Sequence, residues 1–222
     1  MGGHHGAFSL DVAHLLGGAV LVLSFGLLYQ RRLGGLINAY AAQSCVLAAA
    51  AAWQGWVQSA PALVVTGLIV LGGAGVAIPV ALHRIAGRLQ FDRAVVTQPG
   101  IFPVMAAGVA LVLLAVLLAA PAAAQALPRE DLALALAVVL LGQLMMIVRP
   151  AAPAQLVGFL SLLSGLILGI VGVPGMRLAV ELAVAVLVLA GAAVAGVYLL
   201  RIRARFEEVD AGRLERLGGA AQ

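Results

Sequence analysis

Seven long apolar runs dominate this sequence of 222 residues and constrain its fold more than any other feature. They cover approximately residues 9–29, 36–56, 60–82, 101–124, 132–148, 155–173 and 178–200. A helix needs about 20 mostly apolar residues to cross a hydrocarbon core roughly 30 Å thick, and these runs meet or approach that length. The sequence therefore predicts an all-α integral membrane protein with about seven transmembrane helices.

The composition excludes several other classes of protein. Apolar residues make up 64% of the chain and charged residues only 10%, whereas a soluble domain carries about 25% charged residues. A soluble domain and a nucleic-acid binder are both excluded. The single Cys45 cannot form an internal disulfide. We find no phosphate-binding loop, nucleophile elbow, metal motif or paired carboxylates, so we expect no catalytic residue, metal or cofactor in this chain and no enzymatic activity of its own.

The arginines indicate an orientation. Of the thirteen basic residues, all are arginine and eleven follow odd-numbered runs: Arg31, Arg32, Arg84, Arg88, Arg93, Arg149, Arg201, Arg203, Arg205, Arg213 and Arg216. Only Arg129 and Arg177 lie on the opposite side. Because cytoplasmic loops concentrate basic residues, we expect the N-terminus outside and the C-terminus in the cytoplasm of a bacterial cell, with the chain in the inner membrane.

An internal repeat is a further prediction. A shift of 117 residues places Arg32 on Arg149 and Arg84 on Arg201. Runs one to three then overlay runs five to seven in the same orientation, as in a parallel repeat. The chain would form one membrane domain over 1–222, with a first unit (1–93), a linking helix (94–131) and a second unit with a cytoplasmic tail (132–222). A chance likeness between alanine-rich helices is the alternative.

Glu181 is the one acidic residue clearly inside an apolar run. Ionisable residues within a membrane are costly and commonly functional, so Glu181 is a candidate for a proton relay. Arg177 lies four residues earlier, on the same helix face. An ion pair between Arg177 and Glu181 at the membrane surface would stabilise the helix without any function. The spacing leaves both interpretations open.

Neutral polar residues supply the remaining relay candidates, Gln43, Ser164 and His83. The amide of Gln43 is suited to a hydrogen bond with a neighbouring helix or to ordering a water in a proton path, and Gln143 has the same two uses. The Ser164 hydroxyl can bond back to the preceding helical turn. His83 borders the inner interface, where a histidine either relays protons or extends its ring towards water.

Glycine and proline positions predict how the helices pack. Gly165 and Gly169 form a small-xxx-small step that allows two helices to approach closely. Pro79 lies one turn inside the third run, where its missing N–H frees a backbone carbonyl and kinks the helix.

Three short motifs resemble hydrogenase-4 component E, a family related to the membrane subunits of formate hydrogenlyase. They are Asn38-Ala-Tyr-Ala-Ala-Gln-Ser44, Gln155-Leu-Val-Gly-Phe159, and the arginine-rich tail that begins Arg201-Ile-Arg-Ala-Arg205. That family is similar in its last helices to the K-type subunit of respiratory complex I. The segment around Glu181 falls where that subunit has a membrane carboxylate, and Gln43 lies about where it has a glutamate.

The resemblance implies a non-catalytic membrane-arm subunit of a complex-I-like oxidoreductase. Its partners would be antiporter-like membrane subunits, a quinone-site-like anchoring subunit, and a peripheral arm carrying the [NiFe] and iron–sulfur centres, with membrane lipids around it. One departure concerns Leu163-Ser164-Gly165, which aligns with a Glu-Asn-Gly of the family and lacks its carboxylate. A relay would then use Glu181 with water, Gln43 and Ser164. The alternatives are a self-sufficient secondary transporter and an assembly scaffold without a proton role.

Overall fold

The computed structural model describes residues 2–59, 61–88, 100–122 and 129–171, together with 191, 193–194 and 196–197. Every element in the first four ranges is helical. In chain order they are α1 (Gly2–Tyr29), α2 (Leu33–Val57), α3 (Pro61–Val70), a π-helical segment (Leu71–Ala77), α4 (Ile78–Arg88), α5 (Ile101–Ala122), α6 (Arg129–Val148) and α7 (Ala152–Val171). The π-helical segment joins α3 to α4 without a break, so the three together form one span.

Six helices in the described part of the chain are long and apolar enough to cross a membrane. They correspond to the first six predicted runs, and the run 132–148, the shortest of these, is the 20-residue helix α6. The prediction of an all-α integral membrane protein is confirmed at this level. Of the seventh run, 178–200, only residues 191, 193–194 and 196–197 are described, and these are helical. The repeat and the count of seven stay predictions.

The centre of the bundle is formed by α1, α2, α6 and α7, and the closest pairing joins α6 to α7. A Cβ atom added at Gly165 would lie 2.7 Å from the backbone nitrogen of Val139, and one at Gly142 would lie 2.6 Å from that of Leu162. Only glycine permits these backbones to approach so closely. The close approach predicted for Gly165 is therefore confirmed, and Gly169 also lies against α6, facing Ala135.

Successive spans alternate in direction, so α1, α4 and α6 end on the side where α2 and α7 begin. We call this side the arginine end, because Arg31, Arg32, Arg84 and Arg149 lie there. A buried apolar cluster occupies this half of the bundle, with Leu36, Leu141 and Val157 at its centre. A second cluster, which includes Val20 and Val138, fills the half towards the opposite end.

The third span is irregular in its middle. The N–H of Ile78 bonds to the carbonyl of Gly73, five residues earlier, at the end of the π-helical segment. Pro79 follows immediately and donates no hydrogen bond. The sequence located the disturbance at Pro79, but it did not predict seven residues of π-helix before it. Within that segment Gly75 faces α2, where an added Cβ would lie 3.6 Å from Cys45 Sγ.

Candidate functional site

A cluster of neutral polar side chains connects three helices inside the bundle. Gln43 on α2 is fully buried. Its Nε2 atom donates hydrogen bonds to Ser24 Oγ on α1 and to Ser161 Oγ on α7, each over 3.0 Å. Both serines are buried as well. The prediction that Gln43 bonds to a neighbouring helix is confirmed, and it bonds to two.

The hydrogen bond of Ser24 determines which way the Gln43 amide points. Ser24 Oγ donates its proton to the carbonyl of Val20, 2.9 Å away, and so has only acceptor capacity left for Gln43. The amide nitrogen must therefore face Ser24, and the amide oxygen faces away from it. That oxygen, Gln43 Oε1, is buried and has no hydrogen-bond partner within the described ranges.

Ser44 and Ser164 lie beside this cluster. Ser44 is fully buried. Ser164 Oγ donates to the carbonyl of Leu160 over 3.0 Å, which confirms the predicted bond to the preceding turn. A cavity of about 40 Å³ adjoins Ser164 and is lined by Tyr40, Leu47, Val70, Gly73, Ala74, Ile78, Leu160, Leu163, Ser164, Ile167 and Gly191. Residues of α2, of α7 and of the π-helical segment all contribute to this lining.

Arg149 is the largest fully buried side chain in the described part of the chain. The sequence predicted only that it lies in a loop and adds to the positive charge on the cytoplasmic side. Only 1% of its surface is exposed. Its Nη2 atom, which carries two N–H groups, donates to the carbonyls of Leu27, at 3.1 Å, and Leu28, at 2.9 Å, and also to that of Gln30, so that one N–H is shared between two carbonyls. The last carbonyls of a helix lack partners within the helix and carry partial negative charge. Arg149 thus caps α1 from the junction between α6 and α7.

Burial lowers the pKa of the Arg149 guanidinium by desolvation. The ordinary value for arginine is so high that the group stays charged at neutral pH. Its Nη1 atom has no hydrogen-bond partner within the described part of the chain. Arg32, which the predicted repeat aligns with Arg149, is exposed. Nothing in the sequence distinguishes the two arginines, so the sequence did not predict the burial of Arg149 or its role in capping α1.

A smaller polar contact joins α1 to α6 at the opposite end of the bundle. His14 Nε2 lies 3.4 Å from Glu130 Oε2 and 3.5 Å from Asp131 Oδ1, distances that allow ion pairs when the histidine is protonated. The described residues contain no group of three or more His, Cys, Asp or Glu that could hold a metal ion. This contact fastens the N-terminal half of α1 to the first turn of α6.

The remaining predicted residues lie apart from the Gln43 cluster. His83 is exposed on α4, where its Nδ1 atom is 3.1 Å from the carbonyl of Pro79. Gln143, in the last third of α6, is exposed and makes no hydrogen bond to another described residue. Glu181 and Arg177 lie outside the described residues. The structure thus brings Gln43 and Ser164 to one region and leaves His83 at the surface.

No protein-family model, curated protein or solved structure matches this chain. Fold and site together therefore define its class. The chain is a helical integral membrane protein whose described interior holds a neutral hydrogen-bonded cluster at its centre and a buried arginine at one end.

Proposed function

We propose that the chain is a non-catalytic membrane-arm subunit of a complex-I-like membrane-bound hydrogenase or formate hydrogenlyase-type complex. The kind of complex is inferred from the motifs that resemble hydrogenase-4 component E. The bacterial inner membrane, the outside N-terminus and the cytoplasmic C-terminus belong to the same proposal, through the arginine distribution. The [NiFe] and iron–sulfur centres would be held by partner subunits.

The observation that supports membership of a complex is the exposed amide of Gln143. Gln143 lies five residues before the end of α6, within a segment apolar enough to span a membrane. Hydrocarbon offers no hydrogen-bond partner to an amide, and polar side chains on the outside of membrane helices commonly bond to another helix. Ile147, one turn further on, is 78% exposed and continues the same face. A polar group on a partner helix would satisfy this amide.

The second part of the proposal is a contribution to a proton relay. Gln43, Ser161 and Ser164 form a polar region in the middle of the bundle, next to a cavity. In the relay that we propose, Glu181 supplies the titratable group, and water near Gln43 and Ser164 supplies the neutral part of the path. His83 lies outside this region, and the proposed relay does not use it.

The test is the identity of the proteins that copurify with the chain. The tagged chain is extracted from native membranes in mild detergent, and its companions are identified by mass spectrometry. We expect antiporter-like membrane subunits, a quinone-site-like anchoring subunit and [NiFe]-type subunits. Recovery of an intact, monodisperse chain alone would refute the subunit proposal and favour a self-sufficient transporter. A proteoliposome uptake assay with the purified chain then tests that alternative.

A further inference from the structure

We propose that the arginine end of the bundle binds the headgroup of an anionic phospholipid. Arg31 and Arg32, in the connection between α1 and α2, would bind the phosphate, and an exposed apolar face of α1 would contact the acyl chains. Arg84, on the third span, offers a second position of the same kind. Such a site would exist whether or not the chain belongs to the proposed complex.

The charges of the described residues are separated along the bundle. Arg31, Arg32 and Arg84 are exposed at the arginine end, and none of the three forms an ion pair or a side-chain hydrogen bond with another described residue. The acidic side chains that the structure describes lie towards the opposite end: Asp11, Glu130 and Asp131. The positive charge of the arginine end therefore has no counter-charge within the described ranges, and anionic lipid is the counter-charge that a bilayer supplies to such a surface.

An exposed apolar stripe on α1 leads to the first two arginines. Leu15, Val22 and Tyr29 recur every seven residues, so they lie on one face of the helix. Their exposed fractions are 70%, 69% and 63%. Tyr29 is the last residue of α1, and Arg31 and Arg32 follow in the connection. A phospholipid has the same order of chemistry, with acyl chains first and the phosphate at the water interface. A free inorganic anion would use only the arginines and gain nothing from the stripe.

The third span repeats this order. Val76 and Val80 are 53% and 43% exposed, and the exposed Arg84 follows one helical turn later on the same face. Two spans thus end in an exposed arginine beyond an exposed apolar face. This favours lipid, which surrounds the whole bundle, over an acidic protein segment at a single location.

The backbone that carries Arg31 and Arg32 is held in place. Only three residues separate α1 from α2. The carbonyl of Gln30 accepts a hydrogen bond from the buried Arg149, and the carbonyl of Arg32 accepts one from the N–H of Leu36 over 3.0 Å. Because this connection is already ordered, a headgroup that binds to it has less conformational entropy to remove.

The test compares two lipids that differ in charge. The purified full-length chain is mixed in detergent with phosphatidylglycerol, which is anionic, or with phosphatidylcholine of the same acyl chains, which has no net charge. Native mass spectrometry counts the bound lipids. We expect phosphatidylglycerol to bind at least about tenfold more tightly. Equal affinity would overturn the proposal. Displacement of phosphatidylglycerol by an equal concentration of inorganic phosphate would overturn it too, because it would show a site for free anions.

Charge variants locate the site. Arg31→Gln/Arg32→Gln removes both charges, whereas Arg31→Lys/Arg32→Lys keeps them and is the matched control. We expect the preference for phosphatidylglycerol to fall roughly fivefold or more in the glutamine variant and to be largely retained in the lysine variant. An unchanged preference in the glutamine variant would overturn the proposal. Arg84→Gln tests the second position and provides the same comparison if the double variant does not fold.

Photocrosslinking identifies the occupant in native membranes. A benzophenone side chain placed at Tyr29, at the end of the exposed stripe, reacts with whatever covers this face. We expect adducts enriched in anionic phospholipid, whereas a protein adduct would show that a polypeptide covers the face and would overturn the proposal. Purification of the chain without companion subunits would refute the proposed complex and leave these lipid outcomes unchanged.

Discussion

Gln43 Nε2 and Ser161 Oγ lie 3.0 Å apart, although 118 residues separate them in the sequence. The bond joins α2, in the first half of the chain, to α7, in the second half. Ser24 brings α1 into the same contact. Because apolar packing between membrane helices has little directional preference, such a polar bridge specifies which helix faces meet.

Replacing Gln43 with leucine should destabilise the bundle. The variant removes two interhelical hydrogen bonds and leaves Ser24 and Ser161 without their donor. We expect a loss of about 1–2 kcal/mol in the free energy of unfolding. Unfolding in mixed detergent micelles measures it. Gln143→Leu, the same substitution at an exposed position, is the control and should change the free energy of unfolding by less than about 0.5 kcal/mol.

The double variant Gln43→Leu/Ser161→Ala extends this test. Since the two side chains share one hydrogen bond, the loss in the double variant should be smaller than the sum of the two single losses. Additive losses would mean that the bond contributes nothing to stability.

Arg149→Ala should destabilise the protein more than removal of any exposed arginine. It deprives three carbonyl groups at the end of α1 of a charged donor. We expect a loss of about 2–4 kcal/mol, and Arg149→Lys should restore part of it because an ammonium group can still reach a carbonyl. Thermal unfolding in detergent provides the measurement. The exposed Arg31 is the matched site, and an equal effect of Arg31→Ala would contradict the capping role.

Gly165→Val should force α6 and α7 apart. The new Cβ would begin only 2.7 Å from the backbone nitrogen of Val139, an atom that no side-chain rotation can move. We expect a loss of about 1–3 kcal/mol or more from overpacking. Gly18→Val is the control, because an added Cβ there meets nothing within 4 Å. Comparable melting temperatures for the two variants would count against the close contact.

Gln143→Leu should weaken the association with partner subunits while the chain itself stays folded. One interhelical hydrogen bond in a membrane is worth about 1 kcal/mol, so affinity should fall roughly fivefold. Quantitative mass spectrometry after purification in mild detergent measures the recovered partners. Gln143→Asn keeps an amide and should lose less. Ile147→Ala changes an exposed apolar position of the same face. Full recovery of partners with Gln143→Leu would remove the main support for a partner at this face.

Glu181→Gln tests the relay in the intact complex. If Glu181 carries protons, the neutral isostere should lower coupled proton translocation by roughly tenfold or more without changing the subunits that assemble. Glu130→Gln alters an exposed carboxylate at the beginning of α6 and is the matched control. Unchanged translocation in Glu181→Gln would favour a purely structural ion pair with Arg177 and a scaffold role for the subunit.

The sequence predicted the spans well because a bilayer imposes one strong condition, a run of apolar residues of a given length. It also predicted that Gln43 bonds to another helix, but it could not name Ser24 and Ser161 as the partners. That choice depends on how each helix is rotated about its axis, and nearly every face of these helices is apolar. Hydropathy therefore carries almost no information about rotation.

Arg149 and the π-helical segment show two other limits. The sequence treats Arg149 like the exposed Arg31 and Arg32, since its burial depends on the position of α1 in space. A π-helix bonds each N–H to the carbonyl five residues earlier instead of four, and this change of pairing leaves the hydropathy of the sequence unaltered. The glycines of that segment and the following Pro79 were its only sequence signals, and they did not define its bounds.

The contact between Arg149 and the end of α1 also has a consequence for the order of synthesis. The carbonyl of Gln30 is translated 119 residues before the arginine that caps it. At about 5–20 residues per second, a ribosome needs on the order of ten seconds to cover that distance. During this interval the end of α1 lacks the donor that caps it in the folded chain. The end of α1 should therefore become fully capped only after α6 has left the ribosome.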